Sequence, residues 1–200
     1  MILVTRLAPD FTAPAVLGTG EIIEKFNFTA HTAGKMSVVF FWPMDFTFVC
    51  PSELISFNKR YIEFQKRSVE VIGISFDSQF VHNAWRKTSI HQGGIGNVQY
   101  AMVADIKREI QKSWGIEHPD AGVALRASFL IDKIGVVRHQ VVNDLPLGRN
   151  VNELLRMVDA LQFHEKSGEV CPAQWEKGMV GIEASSDGIA KYLSQNQDRL

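Results

Sequence analysis

Five bulky apolar residues in unbroken succession, Val38-Val39-Phe40-Phe41-Trp42, run directly into Pro43 and constrain this chain more than any other stretch. A strand with one wet face alternates apolar and polar positions. A run with no polar position suits a strand covered on both faces, in the middle of a largely parallel sheet. Pro43 stops it. Further on, Cys50 stands immediately before Pro51, a residue favoured at the first position of a helix. Leu54, Ile55, Tyr61 and Ile62 then recur at helical spacing and are expected to form one face of that helix. The Cys50 thiol is therefore expected where free backbone N–H groups and the positive end of a helix dipole favour an anion. A thiolate is such an anion, and this is one of the few settings that activate a cysteine.

The rest of the chain alternates strand and helix signals. Ala8 to Val16, with two prolines and little period, reads as an extended lead-in with an edge strand, Glu21 to Phe28 as a short strand pair, and His31 to Lys35 as a turn. Val69 to Phe76 is rich in β-branched residues and predicts a second central strand. Asp77-Ser78 would cap a helix to about Lys87, and Asp105 one from Ile106 to Trp114, with a short strand at Tyr100 to Ala104 between them. Val123 to Ile131 and Val136 to Val142, separated by Asp132-Lys133-Ile134-Gly135, predict a hairpin. Asn150 and Glu153 form a capping-box pattern ahead of a helix to about His164. Past Gly168 the chain reads as a loosely held arm with a short helix over Ile189 to Gln195. The sum is an α/β fold with its thiol just after a central strand, the usual place for chemistry in open α/β sheets.

Composition removes several classes. A net charge of −1 offers no electrostatic case for nucleic acid or an anionic membrane. No apolar run approaches the roughly 18 residues of a membrane span. Met1 to Arg6 lacks the long apolar stretch of a secretory signal, so a cytoplasmic location is the expectation. The two cysteines, Cys50 and Cys171, exclude a disulfide scaffold and have no metal-site spacing, and no cofactor is expected. Free cysteine often packs as a small hydrophobe, so context decides whether these two react. The glycines of Gly93-Gly94-Ile95-Gly96 do not have phosphate-loop spacing, and no strand directly precedes them.

Pro43, Thr47 and Cys50 form a P-x-x-x-T-x-x-C pattern within Asp45-Phe46-Thr47-Phe48-Val49-Cys50-Pro51. This closely resembles the peroxidatic motif of typical two-cysteine peroxiredoxins, the group that contains the peroxidase component of bacterial alkyl hydroperoxide reductase. Gly93 to Gly96, Phe129-Leu130-Ile131-Asp132, Asn143 to Arg149 and Gly168-Glu169-Val170-Cys171-Pro172 follow in the family's order, so the resemblance runs essentially end to end.

The resemblance implies a thioredoxin-like fold with a central mixed β-sheet flanked by helices. It places a catalytic domain over residues 1–165 and an arm over 166–200. It implies reduction of hydrogen peroxide and organic hydroperoxides by Cys50, with no cofactor. Pro43 would shield the thiolate, and the Thr47 hydroxyl would serve thiolate and peroxide. Arg126 would supply the cation, Glu53 would orient Arg126, and Arg149 would support that pair. Taken alone, Arg126 is an ordinary surface arginine, Thr47 a capping residue and Glu53 a favourable first-turn acid. The order of motifs is what assigns them roles. His82, His91, His118 and His139 follow no pattern and are expected to be structural.

Attack on a peroxide leaves a sulfenic acid, which a second thiol condenses to a disulfide. By resemblance, Cys171 of the partner subunit is that resolving thiol, which requires the first turn of the Cys50 helix to unwind. Spacing by itself leaves the connectivity open. The resemblance further implies a homodimer assembling into a decamer, with Phe46, Phe48 and Asp77 to Trp85 at the dimer–dimer contact. The reductant would be thioredoxin or a flavoprotein disulfide reductase. Gly93 to Gly96 matches the loop of overoxidation-sensitive members, whereas Tyr192-Leu193 stands where they carry Tyr-Phe. Ser52 replaces a commoner threonine, and Gln174 a commoner glycine. Two rivals remain. A general thiol–disulfide oxidoreductase would want C-x-x-C at the helix start, where this chain has Cys50-Pro51-Ser52-Glu53. An oligomeric holdase or signalling scaffold would not need the thiol.

Overall fold

The computed structural model describes residues 1–199 and divides into two compact units, Met1–Val151 and Asn152–Leu200. The first is built on a seven-stranded mixed sheet in the order β2-β1-β5-β4-β3-β6-β7. Its strands are β1 (Thr12–Val16), β2 (Ile22–Asn27), β3 (Met36–Phe41), β4 (Val69–Ser75), β5 (Ala101–Ala104), β6 (Arg126–Ile131) and β7 (Val137–Asn143). Strands β3, β4 and β5 run parallel, and the flanking pairs are antiparallel.

The apolar run behaves as its sequence demands. Every residue of β3 is buried. Val39 and Phe41 face one layer with Ile72, Ile74, Trp114 and Phe129. On the opposite side Phe40 stacks on Phe57, with ring centroids 3.9 Å apart, and meets Tyr100 edge-on. Gly73, on β4 beside Phe40, makes that arrangement possible. A Cβ there would lie 2.8 Å from both the Phe40 and the Trp42 ring, closer than carbon atoms can pack.

Several expected boundaries move. The helix after Cys50 is two helices, α2 (Cys50–Lys59) and α3 (Tyr61–Lys66), meeting at Arg60. The break rotates the apolar face: Cys50, Glu53, Leu54, Phe57 and Phe64 are buried, Ile55 and Tyr61 only partly, and Ile62 is exposed. The expected Ile55–Tyr61–Ile62 face is thus corrected. The expected turn at His31 instead includes the short helix α1 (Phe28–Thr32), capped by the Asn27 side chain. The expected strand pair over Glu21 to Phe28 is the single strand β2, paired with β1. Helix α4 (Gln79–Lys87) takes its cap from Ser78, as expected. Helix α5 spans only Glu109–Ser113, because Arg108 at φ 58° interrupts the helical path. Asp105 still caps it, accepting from the N–H groups of Ile110 and Gln111. The hairpin forms, with β6 starting at Arg126 rather than Val123.

The second unit contains nearly all of α6 (Val151–Ser167), the following segment, and α7 (Ser186–Asn196). The segment carrying Cys171 is held more firmly than its glycines suggested. Val170 and Ile182 form an antiparallel bridge, and Trp175 is buried against Phe163 of α6. No helix among the described residues is long and apolar enough to cross a membrane.

Candidate active site

Cys50 is the first residue of α2 and has no solvent exposure. Pro51 occupies the start of the helix, and no side chain caps this end. The positive end of the helix is therefore left to the sulfur.

Two donors reach Sγ. Thr47 Oγ1 lies 2.9 Å away and Arg126 Nη1 3.3 Å away. Arg126 comes from the first position of β6. Because Phe40 pairs with Ser128 in antiparallel register, the start of β6 lies at the end of β3 that leads into Pro43. Thr47 Oγ1 is also 2.9 Å from the Met44 carbonyl oxygen. A hydroxyl carries one hydrogen. It can donate to Met44 while accepting from a thiol, or turn that hydrogen to a thiolate.

Glu53, one turn into α2, binds both arginines. Its Oε2 accepts from Arg126 Nη1 at 2.7 Å and from Arg149 Nη2 at 2.9 Å, and its Oε1 accepts from Arg149 Nε at 2.8 Å. The Arg149 backbone N–H adds a fourth bond at 2.9 Å. All three side chains are at most 4% exposed. Arg149 also donates to the Ala127 carbonyl and the Ser128 hydroxyl, and its guanidinium lies 5.6 Å from the centre of the Phe40 ring. Arg126 is fixed from behind by the Leu145 carbonyl.

Burial works to raise the Glu53 carboxyl, but the hydrogen bonds and charge of Arg149, with the charge of Arg126, hold it below its ordinary value. One carboxylate against two guanidiniums leaves a single uncompensated positive charge in a dry cluster. A thiolate at Cys50 balances it.

The loop between Pro43 and Cys50 is anchored by a residue to which the sequence assigned no role. Asp45 is buried and accepts from Trp42 Nε1 at 2.8 Å, and His82 Nδ1 lies 2.8 Å from its other oxygen. His82 Nε2 faces the Val103 carbonyl at 3.2 Å. His82 thus bridges the Asp45 carboxyl and the backbone of β5. Asp45 N–H donates to Asp77 at 2.8 Å. These bonds hold Phe46 at φ 53°, in the left-handed region that bulky residues avoid, with its ring over Trp85.

Pro43 is buried where β3 gives way to this loop. Tyr100, also without an assigned role, donates from its hydroxyl to the Leu54 carbonyl at 2.8 Å. Asp45 stood inside the recognised motif, which was a usable signal. The pairing of residues 45 and 82 across the fold left no trace in local sequence.

Pro43, Thr47, Cys50, Glu53, Arg126 and Arg149 thus all belong to the first unit, the last five forming one bonded cluster. Cys171 lies in the second, partly buried, with Sγ 3.5 Å from the Ala160 carbonyl oxygen. Both cysteines are free thiols. Among the described residues no three His, Cys, Asp or Glu side chains group to hold a metal ion.

One thiol at this helix start, rather than a C-x-x-C pair, and a cation held against it make a thiol peroxidase on a thioredoxin-like sheet. Comparison with known proteins gives the same class. The AhpC/TSA family model matches residues 4–140, and that of the C-terminal domain of 1-Cys peroxiredoxin matches residues 160–195. The chain belongs to the AhpC/TSA family of peroxiredoxins and is a thiol-dependent peroxidase.

It is 58% identical over 195 residues to alkyl hydroperoxide reductase C of Buchnera aphidicola subsp. Acyrthosiphon pisum, covering 98% of this chain and 99% of that one. It is 52% identical to alkyl hydroperoxide reductase C of Helicobacter pylori, over the full length of both. Among solved structures it resembles reduced Plasmodium vivax 2-Cys peroxiredoxin, with TM-score 0.93 and 45% identity over 98% of this chain and 100% of that one.

Proposed function

We propose that the chain reduces hydrogen peroxide and alkyl hydroperoxides in a two-thiol cycle, with Cys50 as the attacking sulfur and Cys171 of a partner subunit as the resolving one. The observation that carries this reading is the convergence of Thr47 and Arg126 on Cys50 Sγ. The Cys50 thiolate attacks one peroxide oxygen, the O–O bond breaks, and the other oxygen leaves as an alkoxide or hydroxide that takes up a proton. Cys50 becomes a sulfenic acid, and the peroxide becomes an alcohol or water. The Arg126 donors stabilise charge as it moves from sulfur to the leaving oxygen, which is worth more in a dry site than in water. Pro43 keeps water from the sulfur, and Glu53 and Arg149 hold Arg126 in place.

Condensation with Cys171 gives the Cys50–Cys171 disulfide, which thioredoxin or a flavoprotein disulfide reductase reduces. We place the enzyme in the cytoplasm, as homodimers that assemble into a decamer. Support for the assembly surface comes from aromatic side chains left bare near the active loop: Phe46 is 52% exposed, Phe48 98% and Phe80 65%. A coupled assay tests the cycle, pairing hydrogen peroxide or an alkyl hydroperoxide with each reductant class. Turnover with at least one pairing, abolished by Cys171→Ser while the first oxidation of Cys50 persists, supports the reading. Undiminished turnover in Cys171→Ser would contradict it.

A further inference from the structure

The second unit holds a guanidinium that the peroxide step does not use. Arg156, on α6, donates through Nε and Nη2 to the two oxygens of Glu153, each at 2.7 Å, and through Nη1 to the Trp175 carbonyl, also at 2.7 Å. That carbonyl belongs to the last residue of the turn Pro172–Trp175, which directly follows Cys171. The same turn is pinned by the buried Trp175 ring, whose Nε1 donates to the Met179 carbonyl, and by Lys177 on Asp159 of α6. Arg156 thus ties the turn that directly follows Cys171 to the helix beneath it.

Burial raises the Cys171 thiol above its ordinary value, and the Arg156 charge works against that rise. Glu153 and Glu176 face Arg156 in turn, Asp159 is paired with Lys177, and His164 is engaged by the Glu169 carbonyl.

We propose that Arg156 is a positioning residue for disulfide formation: its guanidinium fork fixes on α6 the turn that directly follows Cys171. The inference rests on the reading of Cys171 as the resolving thiol. In that step the Cys171 thiolate attacks the sulfenic sulfur of Cys50. An S–S bond forms, the S–O bond breaks, and the departing hydroxide takes the proton given up by Cys171 and leaves as water. No further oxidant is consumed. A lysine at 156 would keep the charge, but one ammonium cannot hold the Glu153 carboxylate edge and the Trp175 carbonyl as a planar fork does. Charge and placement are therefore separable.

Two measurements test this. In a Cys50→Ser background Cys171 is the chain's remaining cysteine, so the pH dependence of its alkylation by iodoacetamide reads that thiol alone. Arg156→Met is expected to move the midpoint upward, and Arg156→Lys to keep it. With Cys50 restored, one equivalent of hydrogen peroxide should oxidise Cys50 at the unaltered rate in both variants. The following disulfide step should slow several-fold in Arg156→Met, and slow also in Arg156→Lys through lost placement. An unshifted alkylation midpoint together with a wild-type disulfide rate in Arg156→Met would overturn the proposal. Undiminished turnover in Cys171→Ser would instead overturn the reading of Cys171 and leave the alkylation result standing.

Discussion

Thr47 Oγ1 and Cys50 Sγ lie 2.9 Å apart, and the Met44 carbonyl oxygen lies at the same distance from that hydroxyl. The one hydroxyl hydrogen thus has two acceptors, and which one it serves follows the charge on sulfur. A hydrogen bond to a charged group contributes about 1.5–3 kcal/mol. Thr47→Val is therefore expected to slow the reaction of Cys50 with hydrogen peroxide by about 10- to 100-fold. Thr47→Ser, which keeps the hydroxyl, should stay within a few-fold of the wild type. Stopped-flow tryptophan fluorescence checks both, and an unimpaired Thr47→Val would remove Thr47 from the chemistry.

Glu53 joins two arginines that are each 4% exposed. Removing it leaves two buried guanidiniums without their carboxylate. Glu53→Ala is expected to cost about 3–5 kcal/mol of stability at neutral pH, measured by urea unfolding. The pH dependence has a definite sign. The Glu53 carboxyl is held below its ordinary 4.5, so its contribution is fully present above about pH 4.5 and is lost as pH falls through the lower folded value. The stability gap between wild type and Glu53→Ala should therefore narrow on acidification below about pH 4.5. A gap that widened there would contradict the assigned charge state.

Gln174 sits at φ 58°, in the left-handed region, two residues after Pro172. A side chain pays roughly 1–2 kcal/mol for that conformation, and glycine avoids most of the cost. Gln174→Gly is expected to be neutral or stabilising by up to about 1 kcal/mol, whereas Gln174→Val should destabilise. Hydrogen exchange of the Trp175 amide, which donates to the Pro172 carbonyl, reports on this turn directly. Faster exchange in Gln174→Gly would run against the prediction.

None of the residues of α7 is buried, so chain termination after Gly188 removes most of the helix without opening a core. Given the match of Gly93 to Gly96 to overoxidation-sensitive members, the truncated enzyme is expected to resist inactivation by excess peroxide better than the full chain. Residual activity after a graded peroxide challenge measures it, and equal sensitivity would sink the idea.

The central strand, the helix start at Cys50 and the hairpin were legible because each is written in adjacent residues. An unbroken apolar run, a Cys-Pro step and an Asp-x-x-Gly turn need no tertiary knowledge. The roles of Arg126, Glu53 and Arg149 came from the order of motifs. Nothing local predicts that residues 53, 126 and 149 share one carboxylate. The break at Arg60 was missed because helical spacing continues numerically through Tyr61 and Ile62, while the burial of Phe57 and Phe64 follows the sheet they pack on. The pairing of Asp45 with His82 was missed for a related reason. A buried contact between two side chains far apart in sequence is a property of the fold, and each residue alone looks ordinary.

The central question is which sulfur meets the peroxide first. Intact-mass measurement after one equivalent of hydrogen peroxide, on wild type, Cys50→Ser and Cys171→Ser under non-reducing conditions, decides it. The expected results are a disulfide-linked pair of chains for the wild type, a single added oxygen trapped on Cys50 by dimedone in Cys171→Ser, and an unmodified chain for Cys50→Ser. Consumption of peroxide by Cys50→Ser at the wild-type rate would contradict the assignment of Cys50.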